Sequence, residues 1–302
     1  MIPPPSGQQV ELRHGEQRAT VVEVGGGLRS YRVGGVDVLD GYTADEMCGG
    51  GRGQLLIPWP NRIADGRYEF AGDHQQLPLT EPETGHAIHG LVRWSAWRLE
   101  QPAGDVAVAS YVLPPQPGYP FWLDCTVSYR LDDAGLSVTM AVVNRSGRPA
   151  PVGLGAHPYL SAGGAPVDGA GLLLPAATSL VTDDRSIPRG RAAVAGSEYD
   201  LRRARPIGPT VLDTTYTDLD RDPDGLARVR LSPPDGRSVT LWVDGTWTHL
   251  QVFTGETLPE PERRRSLAVE PMTCPPNAFA SGDGLRVLAP AETLEGSWGI
   301  SA

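Results

Sequence analysis

Short stretches in which apolar and polar residues alternate recur along most of the chain, and Gly, Pro, Asp and Asn separate them. Within residues 136–142, Leu136, Val138, Met140 and Val142 occupy every second position, and the residues between them are smaller or polar. A period of two places these apolar side chains on one face of a half-buried antiparallel strand. No stretch of about 12 residues or more carries a helical period uninterrupted by Gly or Pro. The pattern predicts an all-β protein.

The same signals predict strands along nearly the whole length: residues 19–24, 28–33, 36–39, 106–113, 123–131, 136–143, 227–231, 238–243, 249–254 and 266–270. Turn sequences at Gly34-Gly35, residues 132–135 and residues 233–237 predict hairpins, because Gly and Asp tolerate the positive φ of tight turns. Neither an internal repeat nor a linker interrupts the chain. We therefore expect one large antiparallel β-sandwich domain over residues 1–302.

Composition and charge exclude several classes of protein. The formal net charge of -10 argues against a nucleic-acid-binding surface, which is usually basic. All 26 basic residues are Arg, which excludes a Walker A lysine, a Schiff-base lysine and a lysine general base. The Gly-rich run at residues 49–53 lacks a nucleotide-binding signature. No apolar run is long enough to cross a bilayer, so no membrane partner is expected.

The cysteines, Cys48, Cys125 and Cys274, are odd in number, far apart and outside any CxxC spacing. Neither a disulfide framework nor a zinc knuckle is indicated. The N-terminus lacks the basic and apolar regions of a signal peptide. We expect a cytoplasmic protein, as a monomer or a homodimer.

Two histidines, His89 and His157, lie beside Gly and Pro where predicted strands enter loops, a common position for binding groups. On the local sequence alone, a capped or hydrogen-bonded structural role is favoured for each. His86 precedes His89 by three positions, and a third ligand such as His157 or a carboxylate could complete a metal site. Residues three apart in a strand point to opposite faces, so this site would require a turn. We expect no metal.

Glu270 closes an apolar strand and precedes Pro271. A desolvated carboxylate in that place suits a general base, and a Glu that caps a loop or pairs with Arg fits as well. Asn61 and Arg62 follow a Pro-rich segment that contains Trp59. Fixed polar donors beside an aromatic face suit a carbohydrate better than a nucleotide. The alternative is a packed loop in which Arg62 pairs with a carboxylate.

Four separated motifs resemble, in order and approximate spacing, the aldose 1-epimerases or galactose mutarotases. They are Asn61-Arg62, Ile88-His89-Gly90, His157-Pro158-Tyr159 and the strand that carries Glu270. The resemblance extends from about residue 13 to residue 298. It implies a large antiparallel β-sandwich that binds a monosaccharide in a cleft on its concave face, without a cofactor.

The resemblance also implies roles for single residues. Glu270 would take the proton of the anomeric hydroxyl, and His157 would protonate the ring oxygen. The opened sugar would then rotate about its carbonyl carbon and close from the other face. The implied substrate-binding residues are Asn61, Arg62, His89, Tyr159 and Asp213. Ring opening requires an acid and a base together, which suits a Glu and a His.

The sequence departs from the common family pattern at two places. Pro271-Met272-Thr273-Cys274 follows Glu270 where the family often has Thr-Gln, and Leu91-Val92-Arg93 follows Gly90 where many members have a second Gly. These segments are similar to the branch that includes sulfoquinovose mutarotases. We therefore hypothesise that Arg93 meets an anionic group on C6 of a hexose. A surface salt bridge is the alternative role for Arg93.

Two other functions stay open on the sequence. A catalytically silent protein with the same cleft would bind a sugar without accelerating any reaction. A glycoside-active enzyme would use Asp213 and Glu270 as paired carboxylates, and their separation would decide the stereochemical outcome.

Overall fold

The computed structural model of the chain describes residues 3–234 and 238–302, so residues 235–237 of the third predicted turn lie outside the described part. Antiparallel strands dominate the fold, and the predicted all-β class is confirmed. The helical elements of the described chain are short: α1 (Ala278–Ser281) and the 3₁₀ turns Ala64–Gly66 and Val167–Gly169. None of the helices in these residues is long and apolar enough to span a membrane.

Two large sheets form most of the structure. Sheet I consists, in spatial order, of β10 (Arg98–Ala103), β11 (Val106–Leu113), β12 (Leu123–Asp132), β13 (Gly135–Asn144), β27 (Thr293–Ser301), β23 (Val239–Val243), β22 (Ala227–Ser232), β17 (Gly171–Leu173) and β20 (Arg205–Pro206). Sheet II consists of β19 (Pro188–Ala193), β18 (Ala176–Thr182), β21 (Asp213–Leu219), β24 (His249–Phe253), β25 (Ser266–Met272), β15 (Gly155–Ala156) and β5 (Leu55–Leu56), and β16 (Tyr159–Ser161) also pairs with β25.

Smaller sheets surround these two. The N-terminal sheet contains β1 (Gln9–His14), β2 (Gln17–Val22), β3 (Leu28–Val33) and β4 (Val36–Asp37). The paired ribbons are β6 (Arg62–Ile63) with β9 (Ala87–Ile88), β7 (Arg67–Phe70) with β8 (Asp73–Gln76), and β14 (Ala150–Val152) with β26 (Arg286–Leu288). The β6–β9 ribbon carries Arg62 and leads into the turn that carries His89.

One continuous cluster of buried apolar side chains draws on both large sheets. Val138 and Met140 of β13 contribute from sheet I, and Leu267 and Val269 of β25 contribute from sheet II. Inward and outward positions alternate along a strand, so Glu270 lies on the opposite face of β25 from this core. The sandwich therefore buries one face of sheet II and leaves its other face to form a site.

The predicted strand boundaries differ from the observed ones by at most two residues, and β3 and β11 match their predictions. One difference concerns the site: the strand predicted to end at Glu270 continues through Met272. The backbone N atoms of Val269 and Pro271 point to the same edge of β25, where the Val269 N–H donates to the carbonyl of Pro158. Because β15 and β16 leave a gap there, Pro271 can remain in the strand without an N–H.

Candidate functional site

The outer face of sheet II carries a cavity of about 210 Å³. Strand register aligns its polar floor, because Glu270 on β25 lies opposite Gln251 on β24, and Gln251 lies opposite Thr215 on β21. Directly opposed residues project from the same face of an antiparallel sheet. Seven of the eight predicted site residues line the cavity: Asn61, Arg62, His89, His157, Tyr159, Asp213 and Glu270. Arg93 is not among the lining residues.

The centre of the cavity holds Glu270 and His157. Oε1 of Glu270 lies 3.3 Å from Nε2 of His157, and the two side chains are 3% and 6% exposed. Burial raises the pKa of Glu270 well above its usual value, and the nearby Asp213 carboxylate raises it further, whereas Arg62 lowers it. Burial also lowers the pKa of His157 to about 3. Both shifts favour the uncharged forms of this pair.

His157 is held by the chain on both sides of it. Its backbone N–H donates to the carbonyl of Gln54, and its carbonyl accepts from Gly53. Its ring stacks on Tyr159, with ring centroids 5.0 Å apart and planes 8° apart. The Tyr159 hydroxyl donates to the carbonyl of Gly50 at 2.7 Å, which fixes the Tyr159 ring beside the imidazole. The imidazole therefore has a defined orientation toward Glu270.

His89 approaches from the other wall of the cleft, with its ring centroid 5.3 Å from that of His157. Its backbone has a positive φ of 62° in the turn after β9. Nδ1 of His89 accepts a hydrogen bond from the backbone N–H of Asn61 at 3.3 Å. In the neutral ring, Nε2 then carries the proton. Burial keeps the pKa of His89 well below its usual value, so His89 offers an N–H donor to the cleft.

Arg62 is held by a carboxylate that the sequence did not single out, Glu81. Nε and Nη2 of Arg62 each donate to Glu81 at 2.8 Å, and the Thr84 hydroxyl donates to the same carboxylate. This bidentate pair uses the N–H of Nε and one N–H of Nη2, so both N–H groups of Nη1 and the second of Nη2 remain as donors. Arg62 therefore pairs with a carboxylate and also lines the cavity, and its binding of a carbohydrate stays a prediction. No local pattern marks Glu81 among the acidic residues of the chain.

Asp213 stands at the rim, where β21 begins. Its Oδ1 accepts a 2.5 Å hydrogen bond from Nε2 of Gln251, whose Oε1 accepts from the Thr215 hydroxyl. The side chain is exposed at the rim, yet the surrounding protein removes enough water to raise its pKa, against the opposing effects of Arg62 and Gln251. Sequence reasoning missed Gln251, and the only signal was a polar residue inside the predicted strand at 249–254.

Arg93 lies outside the cavity, with its guanidinium carbon 5.9 Å from the Trp94 ring centroid. Within the described part of the chain, the side chain of Arg93 forms neither an ion pair nor a hydrogen bond. Burial lowers the pKa of Arg93, and its charge in turn helps to lower the pKa values of His89 and His157. The salt bridge considered from the sequence is thus not formed among these residues.

His86 does not join the other histidines, so the metal site considered for His86 with His89 is wrong. Its Nδ1 accepts from the N–H of Asp65 at 3.1 Å, and its Nε2 lies 3.1 Å from the carbonyl of Arg185. Ligand atoms of His89, His157 and Glu270 do lie within 4.8 Å of one another. However, the Asn61 hydrogen bond places a proton on Nε2 of His89, and a metal ligand needs a lone pair there.

Solved structures of other proteins share this fold. An aldose epimerase homologue from C. elegans superposes with a TM-score of 0.86 at 18% identity, over 97% of this chain and 98% of that one. Galactose 1-epimerase from Lactobacillus acidophilus superposes with a TM-score of 0.81 at 18% identity, over 97% and 94%. At such low identity these likenesses establish the galactose mutarotase-like fold.

Sequence comparison extends the likeness to a family. Uncharacterized protein YihR of Escherichia coli K12 is 38% identical over 285 residues, which cover 94% of this chain and 89% of that protein. The aldose 1-epimerase family model matches residues 8–301, nearly the whole chain. The four motifs from Asn61 to Glu270 fall inside this match and meet at one cleft. The chain belongs to the aldose 1-epimerase family.

Proposed function

We propose that the protein interconverts the α and β anomers of a hexose by acid and base catalysis, without a cofactor. The observation that carries this proposal is the buried contact between Glu270 and His157 at the centre of the cleft. Ring opening removes a proton from O1 and adds one to the ring oxygen, and both atoms are attached to C1. A carboxyl and an imidazole 3.3 Å apart can reach two oxygens on one carbon.

Glu270 acts as the base and His157 as the acid in this proposal. In the sugar-free cleft, burial favours a protonated carboxyl and a neutral imidazole. Transfer of that proton across the contact yields the carboxylate and imidazolium that the reaction needs, with no change in total charge. The positive charge of Arg62 lowers the pKa of Glu270 and so favours this transfer. Closure of the ring on either face reverses both transfers: Glu270 returns its proton to O1, and His157 recovers a proton from the former ring oxygen.

The surrounding groups bind the sugar hydroxyls. Nη1 of Arg62 and Nε2–H of His89 supply donors, and Asp213 supplies an acceptor at the rim. Asn61 lines the cleft and orients His89 through its backbone N–H. Tyr159 lines the cleft beside His157, and its ring supports the imidazole.

For the substrate class we propose a hexose with an anionic group on C6, which Arg93 attracts. Support comes from the partly buried guanidinium of Arg93, which is without an acidic partner in the described residues. Arg93→Ala should reduce kcat/KM about 10- to 100-fold for sulfoquinovose, the size of one hydrogen bond to a charged group. Its kcat/KM for glucose should change much less, because glucose is affected only through the smaller influence of the Arg93 charge on His157 and His89. Equal effects on both sugars, or none, would contradict this assignment.

The central experiment is anomer exchange followed by NMR on galactose, glucose and sulfoquinovose, without added metal. Wild-type protein should accelerate exchange of at least one sugar, and Glu270→Gln should lose about 10²–10⁴-fold of that acceleration. Glu69→Gln, at a 62% exposed side chain away from the cleft, is the matched control and should keep full activity.

Two other outcomes identify the competing functions. Tight sugar binding without acceleration would indicate a silent binding protein. Release of a chromogenic aglycone that depends on Asp213 and Glu270 would indicate a glycoside-active enzyme.

We also infer that the protein works in the cytoplasm. The three cysteines, Cys48, Cys125 and Cys274, are unpaired thiols in the described chain. Unpaired thiols are typical of a reducing compartment.

A further inference from the structure

The Gly-rich run at residues 49–53 forms the wall behind the His157 ring. A Cβ at Gly51 would lie 2.8 Å from Cδ2 of His157, and a Cβ at Gly50 would lie 3.3 Å from the Tyr159 hydroxyl. At Gly51 the backbone thus approaches the His157 ring too closely for a side chain, and at Gly50 it is in tight contact with the Tyr159 hydroxyl. The run carries no nucleotide-binding signature, and in the structure it lies beside His157.

Arg52 is the one side chain of this run that points into the protein, where it is 3% exposed. Its Nη1 donates to the carboxylate of Glu262 at 2.8 Å and to the carbonyl of Gly49 at 3.2 Å, and its Nε lies 3.4 Å from Asp40. These two carboxylates and the carbonyl offset part of the hydration that the guanidinium loses on burial. These contacts hold the guanidinium in one place.

The guanidinium carbon of Arg52 lies 4.7 Å from the centroid of the Tyr159 ring. Tyr159 in turn stacks on His157 at 5.0 Å, and Nε2 of His157 faces Glu270 at 3.3 Å. A cation over an aromatic face attracts the ring and restricts its tilt. The contacts therefore form a continuous series from Arg52 through Tyr159 and His157 to Glu270.

We propose that Arg52 is a positioning residue that acts through Tyr159 to hold the His157 imidazole at the angle required for proton transfer with Glu270. This inference rests on the proposed mutarotase function. Arg52 does not line the cavity and so acts without touching the sugar. A small change in the orientation of a catalytic acid or base lowers the rate strongly, because proton transfer requires the donor, proton and acceptor to be aligned.

The charge of Arg52 has a second, measurable consequence. The groups that face His157 are Glu270, His89 and Tyr159 within the cleft, and the cations Arg52 and Arg93 nearby. Burial is the largest cause of the lowered pKa of His157, and the positive charges of Arg52 and then Arg93 lower it further. Removal of the Arg52 charge should therefore raise the pKa of His157.

The test compares Arg52→Met and Arg52→Lys with a matched control, Arg148→Met. Arg148 makes a similar cation–π contact, 4.8 Å from the Phe121 ring centroid, and neither residue lines the cleft. Arg52→Met should lower kcat about 10- to 100-fold with little change in KM, and should raise the pKa of His157 in an NMR titration. Arg148→Met should change neither quantity.

Arg52→Lys separates positioning from charge and serves also if Arg52→Met does not fold. It keeps the positive charge near Glu262 but lacks the planar guanidinium that stacks on Tyr159. It should keep the wild-type pKa of His157 and still lose kcat. Wild-type kcat in folded Arg52→Lys would overturn the inference. If the wild-type protein accelerates no sugar, the proposed function fails, whereas the NMR titration still reports whether Arg52 acts on His157.

Discussion

Oε1 of Glu270 lies 3.3 Å from Nε2 of His157, where β25 passes the turn between β15 and β16. Both side chains are nearly inaccessible to solvent, so burial acts on their pKa values in opposite directions. The carboxyl resists ionisation, and the imidazole resists protonation. The pair therefore holds one proton, on the carboxyl, in a cleft with little water. Ionisation of the buried carboxyl at high pH lowers the free energy of unfolding, and this effect can be measured.

Glu270→Gln should stabilise the protein at high pH while it abolishes catalysis. The pKa of Glu270 is higher in the folded state than in the unfolded state. The protein is therefore most stable at a pH below the unfolded-state pKa of Glu270, and it loses stability as the pH rises from that pKa toward the folded-state pKa. A neutral amide removes this loss. Thermal unfolding at pH 8 should show a higher midpoint for the variant than for wild type, and the difference should shrink at pH 4.5. A difference independent of pH would contradict the assignment.

His249 should make the protein sensitive to acid. It is 4% exposed, and burial lowers its pKa from 6.5 to about 4. Between these values the unfolded chain takes up a proton that the folded chain does not, so stability falls as the pH falls, by on the order of 3 kcal/mol in total. His249→Phe should reduce the fall in urea-unfolding stability between pH 7 and pH 4.5, and the lowered pKa values of His89 and His157 should account for part of the fall that remains. His74→Phe, at an 87% exposed side chain, should leave the pH dependence as in wild type.

Gly51→Ala should impair the acid of the catalytic pair. Gly51 has φ +77° and Gly35 has φ +80°, so Ala at either position costs about 1 kcal/mol of backbone strain. Only at Gly51 would the new Cβ meet the His157 ring, at 2.8 Å, since no described atom lies within 4 Å of a Cβ at Gly35. Gly51→Ala should lose at least about tenfold in kcat. Gly35→Ala carries the backbone strain without the contact and should keep wild-type kcat, and equal kcat in both variants would argue against the contact.

Glu81→Gln should weaken sugar binding more than it slows chemistry. Loss of the carboxylate charge frees Arg62 from its bidentate partner, so the guanidinium becomes mobile and its effect on Asp213 and Glu270 changes. We expect KM to rise about tenfold, with about 1–3 kcal/mol lost in the free energy of unfolding. Steady-state kinetics of anomer exchange and urea unfolding measure both. Thr84→Val removes only the hydroxyl bond to Glu81 and should give a smaller change in the same direction.

Local chemistry allowed much of the fold to be predicted from the sequence. The alternation around Met140 predicts β13, because side-chain direction in a strand depends only on position along it. Gly34 and Gly35 predict the β3–β4 hairpin, where they adopt φ values of 58° and 80°. The motifs around Arg62, His89 and Glu270 predicted most of the cleft. They did so through the resemblance to a family, because local pattern alone does not show that residues distant in the sequence share one site.

Tertiary structure alone decided the partners of those residues. The chain has 36 acidic residues, and the tertiary structure brings Glu81 to Arg62. The register of β21 and β24 places Gln251 where it donates to Asp213. His86 turned away from His89 because of contacts with loops distant in the sequence. Periodicity and turn chemistry act over a few residues, whereas ion pairs, stacking and burial depend on chain segments that only the packed sandwich brings together.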